Sequence, residues 1–413
     1  MNRLRAYRPS YWTIWAALIY TTLRYLAFAK ANSTFGDSTG YRESSHFPFF
    51  SERFLAGRRS FPVPLFWKIV HGGDTAIVSA QLVFSIACWW FLATTIASFI
   101  TNRWLRLATF WFVLLFSLTT PIVQWDRNLL SESVTLSLTA LLFALALRAV
   151  ARPTNGTVAA ALVVGGLWMF ARDSDSAAAL LVVPVLLVVF ARTRTRLALV
   201  AAGVVALIFV ADTVSAQVGH RADTSLVTVV STRLFVDEPS ARGWMTSHGY
   251  TDPGAPNTIS VYRSYLLHHP VFTLAGPLEN RPSYSDGPVS PDRLTALYAP
   301  RTVYEKSTPR WRLPAAVQHV LSPARPAVVG LWLLLAGIAC AAAWRLGGFD
   351  RRWIVPLVVL AATYPQFVVI WNGDEHEVDR HAYVAATELR LALIALFAFS
   401  VDRLLTVRRP ASA

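Results

Sequence analysis

The chain has 413 residues, of which 54% are hydrophobic and only 15% charged, and its formal net charge is +14. A soluble chain of this length would carry roughly a quarter charged residues. The composition therefore excludes an ordinary soluble domain. It favours a polytopic membrane protein, because each membrane span needs about 20 mostly apolar residues and the sequence supplies several such runs.

The positive charge lies in short arginine clusters between apolar segments rather than on one continuous face. This alternation is typical of the cytoplasmic loops of membrane proteins, whereas a nucleic-acid-binding protein gathers basic residues into a patch. We therefore predict no nucleic-acid partner. Only three of the 38 basic residues are lysine, and this arginine bias, with many alanines and valines, favours a high-GC bacterial source.

Ten apolar segments predict an all-α polytopic integral membrane protein with about ten transmembrane helices. In chain order they are 11–29, 76–100, 107–123, 131–150, 156–171, 176–191, 197–215, 326–344, 353–371 and 382–403. With all arginine clusters on one side, both termini lie in the cytoplasm. Arg24 interrupts the first segment and could snorkel to the membrane interface. The tripeptide at 27–29, Ala-Phe-Ala, leaves a cleaved signal peptide as the alternative to an anchored first helix.

Two long polar segments divide the chain into three regions. These are an N-terminal membrane module at 1–215 with an outer loop at 30–75, a large extracytoplasmic loop at 216–325, and a C-terminal membrane module at 326–413. Both loops mix prolines and aromatic residues with short amphipathic runs. The run that ends before Pro270, and the stretch from Trp311 to Leu321, each predict a short interfacial helix.

Of the 24 acidic residues, only Asp350 and Asp402 fall on the predicted cytoplasmic side, which makes the outer face acidic. Four outer segments concentrate charge: 35–41 around Asp37, 124–133 with Asp126, Arg127 and Glu132, 171–176 with Arg172 and Asp173, and 372–381 with Arg380 and His381. Glycines on both sides of Asp37 predict a tight turn near the membrane surface. Ser131 is the predicted N-cap of the helix that begins at Glu132.

The segment 372–381 also contains three side chains that could bind a metal ion: His376, Glu377 and Asp379. They follow no fixed ligand spacing, so we assign no metal site, and the sequence leaves a divalent cation open. Nucleotide-binding motifs are absent from the sequence, so energy would come with the substrate or from a gradient. Glu388 and Arg390 lie inside the tenth predicted span, where ionisable groups usually face a functional cavity.

These features resemble the GT-C superfamily of polyprenyl-phosphate-sugar-dependent membrane glycosyltransferases, such as protein mannosyltransferases and aminoarabinose transferases. The resemblance rests on Asp37 in the first outer loop, the Asn-Leu-Leu-Ser-Glu-Ser stretch at 128–133, the Arg172–Asp173 turn, and the Asp-Arg-His stretch at 379–381. Many members carry an acidic pair in the first loop, whereas Ser38 follows Asp37 here. The resemblance implies a GT-C-like fold that transfers sugar from a polyprenyl phosphate to a glycan, lipid or protein acceptor on the outer face.

The resemblance also implies roles for individual residues. Asp37 is the expected general base, supported by Asp126 or Glu132. The expected substrate and phosphate-binding residues are Arg380 first, then Arg127, Arg172, Asp173, His381 and Arg390. One alternative is a multi-pass transporter or flippase of lipid-linked sugars, in which Glu388 and Arg390 would relay ions or protons, although we find no internal repeat. Another is an outer-face polymerase or ligase of lipid-linked polysaccharide.

Overall fold

The computed structural model describes residues 11–28, 34–193, 196–221, 223–235, 238–253, 255, 257–278, 293–300, 309–373 and 378–407. Within these residues the chain is helical and contains no β-strand. The predicted all-α fold is therefore confirmed. The acidic and histidine-containing residues 374–377 lie outside the described residues, so the metal alternative at 372–381 stays a hypothesis.

Twenty-one α-helices follow one another along the described residues. They are α1 (Tyr11–Ala27), α2 (Gly36–His46), α3 (Glu52–Leu55), α4 (Pro62–Val70), α5 (Asp74–Ser98), α6 (Arg103–Ser117), α7 (Thr120–Val123), α8 (Glu132–Ala151), α9 (Asn155–Ala171), α10 (Asp173–Ala179), α11 (Val182–Thr193), α12 (Arg196–Val218), α13 (Asp223–Thr228), α14 (Pro239–Ser247), α15 (Thr258–His268), α16 (Pro270–Ala275), α17 (Arg293–Tyr298), α18 (Ala315–Leu321), α19 (Pro326–Gly347), α20 (Ile354–Gly373) and α21 (Val378–Val407). Short 3₁₀ helices at Gln124–Arg127 and Arg351–Trp353 extend α7 and precede α20.

Six helices among the described residues are long and apolar enough to cross a membrane: α5, α8, α12, α19, α20 with its 3₁₀ turn, and α21. A seventh results if α6 and the bent segment Thr120–Arg127 form one span. The remaining predicted spans coincide with the shorter helices α1, α9 and the α10–α11 pair. The structure thus supports a polytopic membrane fold, and the count of ten spans stays a prediction.

A proline explains the bend of 53° between α6 and the segment that follows it. Pro121 has no backbone N–H, and its ring excludes the carbonyl of the residue four positions earlier from normal helical bonding. That residue is Ser117, whose carbonyl oxygen instead accepts a hydrogen bond from the Arg24 guanidinium on α1. The break in the helix therefore creates a buried acceptor that a neighbouring helix uses.

Helix α21 forms the centre of the bundle. It packs against α19 and α20 and also contacts α8. Of its apolar span, 89% is buried inside the protein, compared with 22% for α19. Leu331 and Leu334 of α19 point outwards. A helix that is apolar on its outward face suits a lipid environment, because hydrocarbon replaces the missing protein contacts.

The two ends of α21 gather different parts of the chain. At the Asp37 end, α2 and α4 pack together, and Tyr262 Oη donates a hydrogen bond to the carbonyl oxygen of Asn372 at 2.9 Å. At the Asp402 end, the carboxylate of Asp402 accepts hydrogen bonds from the backbone N–H groups of Thr101 and Asn102. Described parts of the loops 30–75 and 216–325 and of the segment 372–381 therefore lie at the same end of α21.

The large loop has a small core of its own. As predicted, α15 ends before Pro270, which begins α16. Tyr262 and Tyr265 pack inwards with Met245, whereas Leu267 is 81% exposed. The prediction for 311–321 was too long, because α18 begins only after Pro314. A proline disfavours helical geometry in the residue before it, so the helix cannot extend back to Trp311.

Candidate functional site

Asp37 lies in the first turn of α2 and not in the tight turn that its flanking glycines predict. Ser38 explains the difference. Its hydroxyl accepts a hydrogen bond from the Phe35 backbone N–H at 2.9 Å, which closes the start of the helix, and it donates to the carbonyl oxygen of Leu129 at 2.7 Å. The serine beside Asp37 thus fixes α2 against the segment that leads into α8.

The Asp37 carboxylate lies between two arginines. Its Oδ1 is 2.5 Å from Nη2 of Arg59, and its Oδ2 is 2.8 Å from Nη2 of Arg380. Partial burial favours a raised pKa, but the hydrogen bonds and charge of Arg380 and Arg59 outweigh it and hold the pKa of Asp37 below its ordinary value. The side chain is still 26% exposed. It is therefore an ionised carboxylate that small groups can reach.

Glu132 forms the buried floor beneath Asp37. Its side chain is fully buried, and its Oε1 lies 3.1 Å from Nε of Arg380 and 3.7 Å from Nη1 of Arg172. Arg380 therefore bridges Asp37 and Glu132. Glu132 is therefore both the first residue of α8 and an ion-pair partner of Arg380. Ser131 does hold the N-cap position, but its side chain makes no capping hydrogen bond.

We call Asp37, Arg59, Glu132, Arg172 and Arg380 the Asp37 cluster. It contains three guanidinium groups and two carboxylates, so its formal charge is +1. A site of this charge attracts an anion, and guanidinium groups bind phosphate oxygens well because of their paired donors. The exposed side of the cluster is Asp37 and Arg59, while its other members are almost completely buried.

Arg59 was missed by the sequence analysis. Gly40 makes its position possible, because a Cβ at residue 40 would lie only 3.0 Å from Nε of Arg59. The Arg59 guanidinium also lies 5.2 Å from the centre of the Tyr41 ring, which steadies it by a cation–π contact. The available signal was the adjacent pair Arg58–Arg59 in the same predicted outer loop as Asp37.

Asp126 forms a separate buried pair with Arg24. The Arg24 Nε is 2.9 Å from Oδ2 of Asp126, its Nη2 is 3.2 Å from Oδ1, and a further bond of 2.6 Å reaches the Ser85 hydroxyl. Of the two alternatives for Arg24, snorkelling to the interface is therefore wrong, since the side chain is fully buried. Asp126 was predicted to support Asp37, but its carboxylate pairs with Arg24 of α1 instead.

Three other predicted residues take different positions. The guanidinium of Arg127 lies 4.2 Å from the centre of the Phe28 ring. His381 Nε2 lies 3.4 Å from Nη2 of Arg380, so this histidine borders the Asp37 cluster. Asp173 begins α10, and its side chain lies outside the described part of the chain.

Arg390 lies deeper in the bundle. It is ten residues beyond Arg380 on α21, about 15 Å along the helix axis. It faces the protein interior, and it donates to the carbonyl oxygens of Ala386 at 2.7 Å and Pro323 at 3.0 Å. Its role as a phosphate ligand stays a prediction, and its described contacts are structural.

The Asp37 cluster thus combines a reachable carboxylate that can accept a proton with three cations that can bind an anion. No set of three or more metal-binding side chains is close enough to hold an ion within the described residues. No protein-family model and no curated protein sequence matches the chain.

Proposed function

We propose that the chain is a membrane glycosyltransferase that moves a sugar from a polyprenyl-phosphate donor to an acceptor hydroxyl on the extracytoplasmic face. One observation carries the proposal: the partly exposed Asp37 carboxylate lies between Arg59 and Arg380, with Glu132 and Arg172 buried beneath. A base for the acceptor and cations for the leaving phosphate are therefore within one cluster.

The reaction follows from this arrangement. The acceptor hydroxyl gives its proton to Asp37, and its oxygen attacks the anomeric carbon of the donor sugar from the side opposite the phosphate. The bond between the anomeric carbon and the phosphate oxygen breaks, and its electrons stay on the lipid phosphate. Arg59, Arg172 and Arg380 stabilise the charge that develops there. The configuration at the anomeric carbon is inverted.

The low pKa of Asp37 has a consequence for the order of binding. Before the donor binds, both oxygens of Asp37 contact arginines, so the carboxylate is ionised but is a weak base. A donor phosphate that binds Arg59 or Arg380 competes with Asp37 for the same N–H groups. It thereby releases carboxylate oxygens and raises their basicity. We therefore propose that the donor binds first and activates the base for the acceptor.

The proposal includes the placement of the protein. The Asp37 end faces the extracytoplasmic side of a bacterial cell membrane, both termini are cytoplasmic, and all ten apolar segments cross the membrane in a GT-C-like bundle. The support is the arginine alternation in the sequence and the gathering of the described outer segments at one end. A lipid-linked phosphate stays at the membrane surface, where the exposed face of the Asp37 cluster would meet it.

A transporter or flippase of lipid-linked sugars is the second candidate. It is favoured by two carboxylates, Asp175 and Glu388, that are buried in the bundle without an ion-pair partner among the described residues. Proton-coupled transporters use such intramembrane acids. The arrangement also suits an enzyme, so only an assay that follows both activities separates the two functions.

The experiment uses the purified full chain in liposomes with a radiolabelled polyprenyl-phosphate sugar. The proposal expects transfer of label to a water-soluble or lipid acceptor, in the absence of nucleotide. Asp37→Asn should abolish most of this transfer. Asp74→Asn is the matched control, because Asp74 is another partly exposed aspartate paired with an arginine, Arg42, but lies outside the cluster. Movement of intact donor between leaflets without transfer would instead support the flippase.

A further inference from the structure

Two acidic side chains lie inside the helix bundle and outside the Asp37 cluster. Asp175 is on α10 and Glu388 is on α21, and they are 1% and 5% exposed. No lysine, arginine or histidine of the described residues lies within ion-pair distance of either carboxylate, in contrast to Asp126 with its partner Arg24. Isolated charge at this depth is costly, so these acids require another explanation.

Gln366 connects the two acids. Its Nε2 lies 3.0 Å from Oε2 of Glu388 and 3.5 Å from Oδ1 of Asp175. The other oxygen of Glu388 accepts a bond of 3.2 Å from the Thr139 hydroxyl. Trp168 Nε1 in turn donates to the Thr139 oxygen at 2.9 Å, which leaves the hydroxyl proton directed at Glu388. The Ser174 hydroxyl donates to the same Oδ1 of Asp175 at 3.3 Å, so each of these described donors is already used.

Two oxygens at this site have no donor. Oδ2 of Asp175 and Oε1 of Gln366 are both buried and make no hydrogen bond within the described residues. Gln366 is fully buried, and its amide group contacts both carboxylates, so its orphaned oxygen belongs to the same site. A buried acceptor without a donor is destabilising. The site lacks a donor hydrogen for these oxygens, and the ligand that supplies a hydrogen without adding volume is a proton.

We propose that Asp175 and Glu388 form a proton-binding site in the membrane interior and hold one proton between them at neutral pH. Proton uptake forms one O–H bond on a carboxylate oxygen, which then donates to one of the neighbouring oxygens that lack a donor. The pair changes from two negative charges to one. Two carboxylates that share an amide in a site closed to water cannot both be ionised without a large repulsion.

The groups that face the pair come from five helices. Thr139 of α8, Trp168 of α9, Ser174 of α10 and Gln366 of α20 are neutral. The charged neighbours are Arg172, immediately before α10, and Asp212 of α12. Asp212 is neutralised by Arg221 at 2.8 Å. Arg172 therefore attracts the single remaining negative charge of the pair from beyond ion-pair distance.

Arg172 also connects this site to the Asp37 cluster, because its Nη1 lies 3.7 Å from Oε1 of Glu132. Loss of the proton would give the pair a second negative charge. The stronger negative charge would draw Arg172 towards Asp175 and weaken its attraction to Glu132. Proton binding therefore favours the arrangement of the cluster that the structure shows. The existence of the proton site does not depend on the reaction proposed for that cluster, so the two proposals can fail separately.

The first test measures the proton directly in the full chain. The protein is placed in lipid nanodiscs without substrate, and infrared difference spectra are recorded against pH, once with ¹³C-aspartate and once with ¹³C-glutamate. The proposal expects the C=O band of one protonated carboxyl group at pH 7, with an isotope shift in one or both samples. Exposed carboxyl groups are ionised at this pH. Absence of any protonated band at pH 7 would overturn the proposal.

The second test assigns the band. Glu388→Gln and Asp175→Asn keep size and hydrogen-bonding groups but remove one acid. In either variant the remaining acid has lost its negative neighbour, so the band should disappear or its titration midpoint should fall by more than about one pH unit. Asp402→Asn is the control, because Asp402 is equally buried but already receives hydrogen bonds from Arg352 and two backbone N–H groups. A band unchanged in both variants would contradict the assignment.

Discussion

The two ends of α21 carry similar clusters with opposite properties. At one end Arg380 bridges the carboxylates of Asp37 and Glu132, and at the other end Arg352 bridges those of Asp350 and Asp402. Arg380 and Asp402 are 22 residues apart, which is about 33 Å along a helix. Each cluster therefore closes one end of the same central helix.

The two clusters differ in formal charge and in how far their carboxylates are exposed to solvent. Asp402 is fully buried, and its oxygens accept from Arg352 at 2.7 Å and from two backbone N–H groups at 3.0 and 2.9 Å. Partial burial would raise the pKa of Asp350, but its hydrogen bonds to Arg352 outweigh this and keep the pKa below its ordinary value. The Asp37 cluster has an excess of cations and an exposed carboxylate. The comparison teaches that ionised groups in a membrane bundle suit ligand binding when they are partly exposed, and suit structural support when they are buried and fully hydrogen-bonded.

The largest change in stability is expected at the Asp402 end of α21. Asp402→Leu removes the acceptor for two backbone N–H groups and one partner of Arg352. The expected loss is about 3 kcal/mol of unfolding free energy, the lower end of the range for a broken buried ion pair, because Asp350 still neutralises Arg352. Denaturant unfolding in detergent measures it. Sugar transfer per folded molecule should be unchanged, and a specific loss of transfer would contradict the division between the two ends.

A smaller stability change is expected in the middle of α21. Arg390→Leu leaves the Pro323 carbonyl oxygen without its described donor, so unfolding free energy should fall by about 2 kcal/mol. If the contacts of Arg390 are structural, transfer by the folded variant should stay within a few-fold of the parent. A loss comparable to that of an Arg380 variant would show instead that Arg390 contacts the donor phosphate, as the sequence analysis predicts. Arg390→Lys serves as the charge-conserving control.

A change in the pH dependence of activity is expected at the Asp37 end of α21. As the proposed base, Asp37 would act only when ionised, so activity should fall as pH drops through its pKa, which the two arginines keep low. Arg59→Met removes one of them and should move the acid limb of kcat/KM upwards by about one pH unit, or about 1.4 kcal/mol. Arg42→Met is the control, since Arg42 pairs with Asp74 instead. An unmoved acid limb would exclude Asp37 as the titrating group.

The mildest change tests which side each end faces. In a chain with Cys88 and Cys340 replaced by alanine, single cysteines are placed at Ser260, exposed in the large loop, and at Thr101, exposed at the Asp402 end. A membrane-impermeant maleimide applied to whole cells should label the cysteine at 260 only, and the cysteine at 101 should react after lysis. Labelling of position 101 alone in intact cells would reverse the proposed orientation.

The sequence predicted the helical segments well because their signal is local. Apolar runs of sufficient length determine helices in a membrane environment, and each of the ten predicted segments is mostly helical where it is described. The wrong predictions concern local structure, where one residue changed the conformation that its neighbours indicated. Glycines around Asp37 indicated a turn, but Ser38 supplied a hydrogen bond that starts a helix, and Pro314 shortened the predicted helix at 311–321.

The site was predicted only in part because side-chain partners depend on how each helix is rotated. The segments that carry Asp37, Glu132, Arg172 and Arg380 were identified, and the structure brings these residues together. The Arg24–Asp126 pair joins residues 102 positions apart, and no sequence pattern specifies such a contact. Arg59 was missed for the same reason, since its approach to Asp37 depends on the space beside Gly40.

The central claim is that Asp37 accepts the proton of the acceptor hydroxyl, and its most direct test is the single-turnover rate of Asp37→Asn with saturating polyprenyl-phosphate sugar. Asparagine keeps the shape of the side chain but cannot take the proton. General bases contribute roughly 10²- to 10⁴-fold, so transfer should fall by that factor while donor binding persists and Asp74→Asn matches the parent. Transfer by Asp37→Asn at the parental rate would contradict the account and place the base elsewhere.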